Sequence, residues 1–165
     1  MTVQDVMVKP VKVCNPEMTL AAATEMLWAD RCGSLPVVDI RGNVIGMITD
    51  RDICIALGAG DAVAAYTKIK DIMLPKVFVC MPEDDVHRAL ETMAAQRVRR
   101  LPVLDRKGAL KGILSIDDIV LHAEKNGPSL SYEDVMTALQ AICAPAGHPG
   151  LTGEMAWPDR PVYTY

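Results

Sequence analysis

The sequence predicts a mixed α/β (α+β) protein made of two copies of one β-α-β-β-α unit, followed by a further helix and an irregular tail. Three observations carry this. Residues 5–57 align without a gap on residues 71–123, at an offset of 66, and 19 of the 53 pairs are identical. Each copy alternates short β-rich runs with stretches of helical apolar spacing. Each also closes on one signature, Gly46-Met47-Ile48-Thr49-Asp50-Arg51-Asp52 and Gly112-Ile113-Leu114-Ser115-Ile116-Asp117-Asp118. The period exceeds the roughly 20–50 residues of solenoid repeats, so each copy is expected to be a small subdomain burying its apolar face against the other.

The elements follow from period and punctuation. Val11-Lys12-Val13-Cys14 and Val77-Phe78-Val79-Cys80 are β-rich runs stopped by Pro16 and Pro82, and they predict the first strand of each copy. Thr19 and Asp85 are the N-caps of helices carrying Leu20, Ala23 and Leu27, answered by Val86, Ala89 and Met93, up to Arg31 and Arg97. Leu35-Pro36-Val37-Val38-Asp39 and Leu101-Pro102-Val103-Leu104-Asp105 follow as strands with a proline near the start. Gly42 and Gly108 mark hairpin turns, and strands over 44–48 and 110–114 lead into the closing signature and a last helix. Gly58-Ala59-Gly60 breaks that helix in the first copy. The organisation is therefore a first copy over 1–62, a second over 63–124, and 125–165 outside the repeat. In that last part Ser131-Tyr132-Glu133-Asp134 caps a helix through Ile142. Pro145 to Tyr165, with four prolines and three glycines, reads as irregular; its Trp157, Tyr163 and Tyr165 are aromatics suited to anchoring on a groove or a partner.

Composition narrows the function. A net charge of −4 argues against nucleic acid, whose binding proteins present a basic face. No apolar run approaches the roughly 18–20 residues of a membrane span, and the N-terminus lacks a signal-peptide core, so a soluble cytoplasmic protein is expected. Five scattered cysteines without C-x-x-C spacing support neither a disulfide scaffold nor a zinc cluster. Cys14 and Cys80 hold equivalent places, leaving a redox pair open beside the plainer reading of buried small hydrophobes. His87, His122 and His148 have no metal or dyad spacing, and no serine or cysteine lies in a nucleophile motif. No enzyme, metal site or catalytic cofactor is expected.

The closing signature has two compatible readings. As a capping box, Thr49 or Ser115 accepts from the starting helix while Asp52 or Asp118 reaches back. As a ligand site, a helix N-terminus offers N–H groups to an anion and the Asp can hold a sugar diol.

With both copies laid out, the sequence resembles a tandem pair of CBS domains (a Bateman module), over about residues 1–124. The resemblance rests on the V-x-V-C-x-P starts, the L-P-V-[VL]-D strands and the G-[MI]-[IL]-[TS]-x-x-D-I ends, in the same order and spacing twice. It implies two copies about a pseudo-twofold axis, with two clefts for adenosine-containing ligands (AMP, ADP, ATP, NAD(H) or S-adenosylmethionine). It further implies ribose and phosphate contacts from Thr49 with Asp52 and Ser115 with Asp118, and base contacts from Met47 and Ile113. The adenine slot would take Phe78 and Val98 beside Asp52, and Lys12 and Cys32 beside Asp118. The residues before L-P-V, which reach phosphates in this family, are Arg99-Arg100 in one copy and Gly33-Ser34 in the other. Two unequal clefts follow, since Arg51 precedes Asp52 whereas Asp117 precedes Asp118 and repels a phosphate; the tighter is expected at Asp52, with Arg99 turned in. The plainer reading of Arg97, Arg99 and Arg100 is a basic patch at a helix end. The function so implied is regulatory: sensing energy or redox state through a nucleotide, as a flat homodimer signalling in trans to an effector. The alternative is an assembly protein of the same fold without a ligand.

Overall fold

The computed structural model describes residues 1–125, 127 and 129–144; the expectations for the tail from Pro145 lie outside these. The first copy supplies α2 (Leu20–Ala29), β1 (Ser34–Val38), β2 (Val44–Thr49) and α3 (Asp50–Ala59), after a short α1 (Val3–Val6). The second repeats the order as α4 (Val86–Gln96), β3 (Arg100–Leu104), β4 (Leu110–Ser115) and α5 (Ile116–His122), and α6 (Tyr132–Cys143) ends the described chain. Thr19 accepts from Ala22 N at 3.3 Å and Asp85 from His87 N at 2.9 Å, so both predicted caps form. Gly58 lies inside α3, which runs to Ala59 and is capped by Gly60, so the helix breaks two residues later than predicted.

Each copy holds one antiparallel hairpin, β1 with β2 and β3 with β4, in the same register from Ser34–Thr49 and Arg100–Ser115 onward. The turns need Gly42 and Gly108, whose φ values of 83° and 81° suit glycine.

The strands predicted over 11–14 and 77–80 do not form. Each run makes a single parallel bridge, Cys14 to Val37 and Cys80 to Val103. In the first copy, Cys14 N donates to Pro36 O at 3.0 Å and Val38 N to Cys14 O at 2.9 Å. A rung on one side would need the N–H of Pro36, and one on the other side that of Pro16. Neither proline has one, and Pro102 and Pro82 impose the same limit on the second copy.

The apolar faces are not laid on one another as expected either. Two separate cores form, one around Leu20, Leu35, Val37 and Ile48, the other around Val86, Met93, Leu101 and Leu114. Each is closed by a segment from the start of the other copy. Val3 and Val6 of α1 lie in the second core, whereas Ile69, in a 3₁₀ turn over Ile69–Asp71, lies in the first. The bonds repeat at the offset of 66: Val86 N to Met1 O at 3.1 Å and Leu20 N to Thr67 O at 3.0 Å, then Ile113 N to Val8 O at 3.1 Å and Met47 N to Leu74 O at 3.2 Å. Val3 and Ile69 are fully buried, and such side chains contribute about 1.5–3 kcal/mol each. The copies are thus cross-fastened, and they also meet where the hairpin turns bridge, Asn43 to Ala109. Helix α6 lies along α4 and touches α5, seating Val135, Ala138 and Ile142 on the second core.

Candidate functional site

Both closing signatures form full capping boxes. Thr49 N and Oγ1 donate to Asp52 Oδ2 at 3.0 and 2.6 Å, and Asp52 N returns to Thr49 Oγ1 at 3.1 Å. Ser115 N and Oγ donate to Asp118 Oδ2 at 2.9 and 2.5 Å, with Asp118 N to Ser115 Oγ at 3.1 Å. All these bonds to the carboxylates fall on Oδ2; among the described residues, Oδ1 of each accepts none. The box by itself marks a helix start, because Thr2 with Asp5 and Ser131 with Asp134 build it too.

What sets the two signatures apart is their position where the copies meet. Each helix start is tied to the residue before the L-P-V strand, by Asp50 N to Gly33 O at 3.2 Å and Ile116 N to Arg99 O at 2.9 Å. From the second copy Arg100 crosses to the first: its Nη1 and Nη2 lie 3.5 and 3.6 Å from where a Cβ on Gly33 would stand, with Asp50 Oδ2 3.3 Å from that point. A Cβ there would stand in ordinary van der Waals contact with the guanidinium and press only on the Asp50 carboxylate. Arg100 also pairs with Asp117 of its own copy at 3.7 Å. The half-buried Arg100 therefore pairs with the start of α5 and reaches Gly33, near the Asp50 carboxylate at the start of α3. Beside it, Ser34 is the pseudo-equivalent of Arg100, and its Oγ is buried and without a hydrogen-bond partner among the described residues.

The other predicted residues take varied places. Arg99, expected to turn in, reaches α6, its Nη2 lying 3.9 Å from Cys143 Sγ. Arg51 is exposed, and its backbone N donates to Asp50 Oδ1 at 2.7 Å. Lys12 pairs with Asp30 at 3.7 Å. Cys32 and Val98 are half-buried against the cores of their own copies. Phe78 is half-buried against the second core, with the Lys76 ammonium 5.0 Å from its ring centre. Met47 and Ile113 are half-buried on β2 and β4, their backbones held by Leu74 and Val8. Sequence reasoning misses two participants. Asp50 aligns with the apolar Ile116, so the repeat gave no sign of it, and Ser34 looked like a neutral stand-in for an arginine. Cys14 and Cys80 lie in different cores, where burial pushes their thiols up to about 11 and about 12. Neither has the thiolate character of a sensor. Among the described residues no three His, Cys, Asp or Glu side chains cluster as metal ligands do, and no helix is long and apolar enough to cross a membrane.

The family model for the CBS domain matches this chain twice, over residues 3–59 and 69–125. The chain belongs to the CBS domain family. It is 29% identical over 125 residues to the CBS domain-containing protein YhcV of Bacillus subtilis, covering 76% of this chain and 87% of that protein. It is 36% identical over 118 residues to inosine-5'-monophosphate dehydrogenase of Methanocaldococcus jannaschii, covering 70% of this chain but 22% of the dehydrogenase. The chain thus spans about a fifth of the length of that enzyme. Among solved structures it superposes on the CBS domain pair of MJ0100 in complex with 5'-methylthioadenosine and S-adenosyl-L-methionine. There the TM-score is 0.66 at 27% identity, over 74% of this chain and 94% of that one. The superposition on CBSX2 in complex with AMP has a TM-score of 0.63 at 26% identity, over 73% and 94%.

Proposed function

We propose that this protein is a regulatory module that binds an adenosine-containing nucleotide between its two copies and passes its state, as a homodimer, to an effector in trans. The observation that carries this is the junction at Arg100. A cation paired with Asp117 at the start of α5 and reaching Gly33 near Asp50 at the start of α3, together with two carboxylates each with a free Oδ1, supplies what a phosphate and a ribose require. The complexes of MJ0100 and CBSX2 with adenosine compounds favour the same ligand class. The two ends are unequal: Arg51 stands beside Asp52, and Asp117 beside Asp118. The Thr49–Asp52 end is the one suited to a phosphorylated ligand, and the Ser115–Asp118 end to a less anionic one.

A second reading, a structural protein of the same fold, is favoured by the box at Ser131 and Asp134, which shows that capping alone accounts for the motif. Thermal melts with AMP, ADP, ATP, NADH and S-adenosylmethionine separate the two. A ligand at 100 times its Kd adds about 2.7 kcal/mol, a shift of roughly 5–11 °C for a chain of this size. A melt that none of them moves leaves the structural reading standing.

A further inference from the structure

A hollow of about 210 Å³ lies beside the start of α4 in the second copy, apart from the closing signatures and from Arg100. Asp84, Arg88 and Thr92 follow one another at intervals of four along one wall, and Val79, Met81 and Ala89 supply apolar surface. At the offset of 66 the three polar residues correspond to Met18, Ala22 and Met26. Met18 and Met26 pack against the first core. Two long apolar side chains in one copy thus give way to two short polar ones in the other, and an alanine gives way to an arginine. The exchange opens space in the second copy and sets charge at its edge.

That charge is incompletely used. Arg88 Nη1 and Asp84 Oδ1 stand 4.0 Å apart, beyond hydrogen-bond reach, and among the described residues neither makes another ion pair. Asp84 Oδ2 accepts from Met81 N at 2.8 Å, which holds the carboxylate in place and leaves Oδ1 toward the arginine. Thr92 Oγ1 donates to Arg88 O at 2.9 Å, so its lone pairs remain for an N–H donor.

We infer that this hollow binds a free α-amino acid with a short aliphatic side chain. The ammonium donates to Asp84 Oδ1, the carboxylate accepts from the Arg88 guanidinium, and the side chain lies on Val79, Met81 and Ala89. An ammonium and a carboxylate on one carbon suit a pair standing 4.0 Å apart, because they bridge it with two charge-assisted hydrogen bonds and add no net charge. A simple anion would answer Arg88 and meet Asp84; a simple cation would do the reverse. At roughly 30 Å³ per water the hollow has room for about seven waters, which suits valine and is too small for a nucleotide. The loop carrying Asp84 also receives α1, through Val3 N to Asp84 O at 2.9 Å and Gln4 N to Pro82 O at 3.0 Å. An occupant therefore tightens the fastening of α1 to the second core. The inference is independent of the nucleotide reading.

Amide-resolved NMR titration of the full chain with L-valine tests it. The amides of Met81, Asp84, Ala89 and Thr92 should shift together and approach saturation by about 10 mM, and the Val3 and Gln4 amides should exchange more slowly. Isovalerate and isobutylamine, which each keep the side chain and one of the two charges, should bind about 10-fold more weakly or worse. Arg88→Gln, at a side chain 77% exposed, should weaken valine by about 10-fold or more. Asp84→Met combined with Thr92→Met copies the first repeat and should abolish binding; circular dichroism confirms the fold, and Arg88→Gln decides the matter should the double variant not fold. No shifts with L-valine at about 50 mM, equal binding of isovalerate, or undiminished binding by Arg88→Gln would overturn the site. Titration with AMP reads the closing signatures separately.

Discussion

Asp52→Ala and Asp118→Ala separate the two roles superposed on each closing signature. Either change removes two hydrogen bonds to Oδ2 and a negative charge from a helix N-terminus. Losing such a cap costs about 1 kcal/mol, so the ligand-free melting temperature should fall by roughly 2–4 °C. If the free Oδ1 also accepts from a ribose hydroxyl, binding loses a hydrogen bond to a charged acceptor, about 1.5–3 kcal/mol. That weakens Kd by about 10- to 100-fold. Calorimetric titration with AMP and with S-adenosylmethionine reads the second effect, and scanning calorimetry the first. Asp134→Ala is the control, because it dismantles the same box on α6. It should lower the melting temperature and leave Kd alone. Binding unchanged in the Asp52→Ala, Asp118→Ala double variant, or weakened equally by Asp134→Ala, would reduce both signatures to caps.

Three further outcomes are expected. Ile69→Ala should destabilise the protein by about 2–5 kcal/mol and loosen the first core, while Val3→Ala should loosen the second; amide hydrogen exchange, read copy by copy, would show the reverse if the leading segments were not exchanged. His87 is held above its ordinary value chiefly by its bond to Asp85, with Asp134 of α6 3.4 Å away, and Asp85 in turn faces the N-terminal amine of Met1. Its contribution is therefore fully present below about pH 6.5 and fades as pH rises through the raised value; His87→Ala should flatten that part of the stability profile, and a proton NMR titration midpoint at or below 6.5 would contradict it. Under alkylation at pH 8, exposed Cys54 and Cys143 should label quickly and Cys14 and Cys80 only on unfolding, as peptide mass spectrometry reads.

The repeat, the helices and their caps were legible in the sequence because they depend on neighbours three or four residues away. Thr19, Asp85 and the boxes at Thr49, Ser115 and Ser131 are local devices, and Gly42 and Gly108 fix their turns by backbone freedom alone; the box at Thr2 and the short helix it starts were not read from the sequence. The strand at Cys14 failed for a reason written in the sequence but readable only with the partner in hand, since which rung needs Pro36 depends on register. The exchanged segments were hidden because Val3 and Ile69 suit either core, and only the path of the chain decides which one they close. The same holds for the junction. The sequence by itself determined that two hydroxyl–carboxylate pairs cap two helices and that one copy carries arginines where the other has Gly33 and Ser34. The tertiary structure alone decided that Arg100 crosses to that glycine while Arg99 turns to α6, and it brought Asp50 into the group. Long charged side chains take their direction from the space and charge that the opposite copy provides.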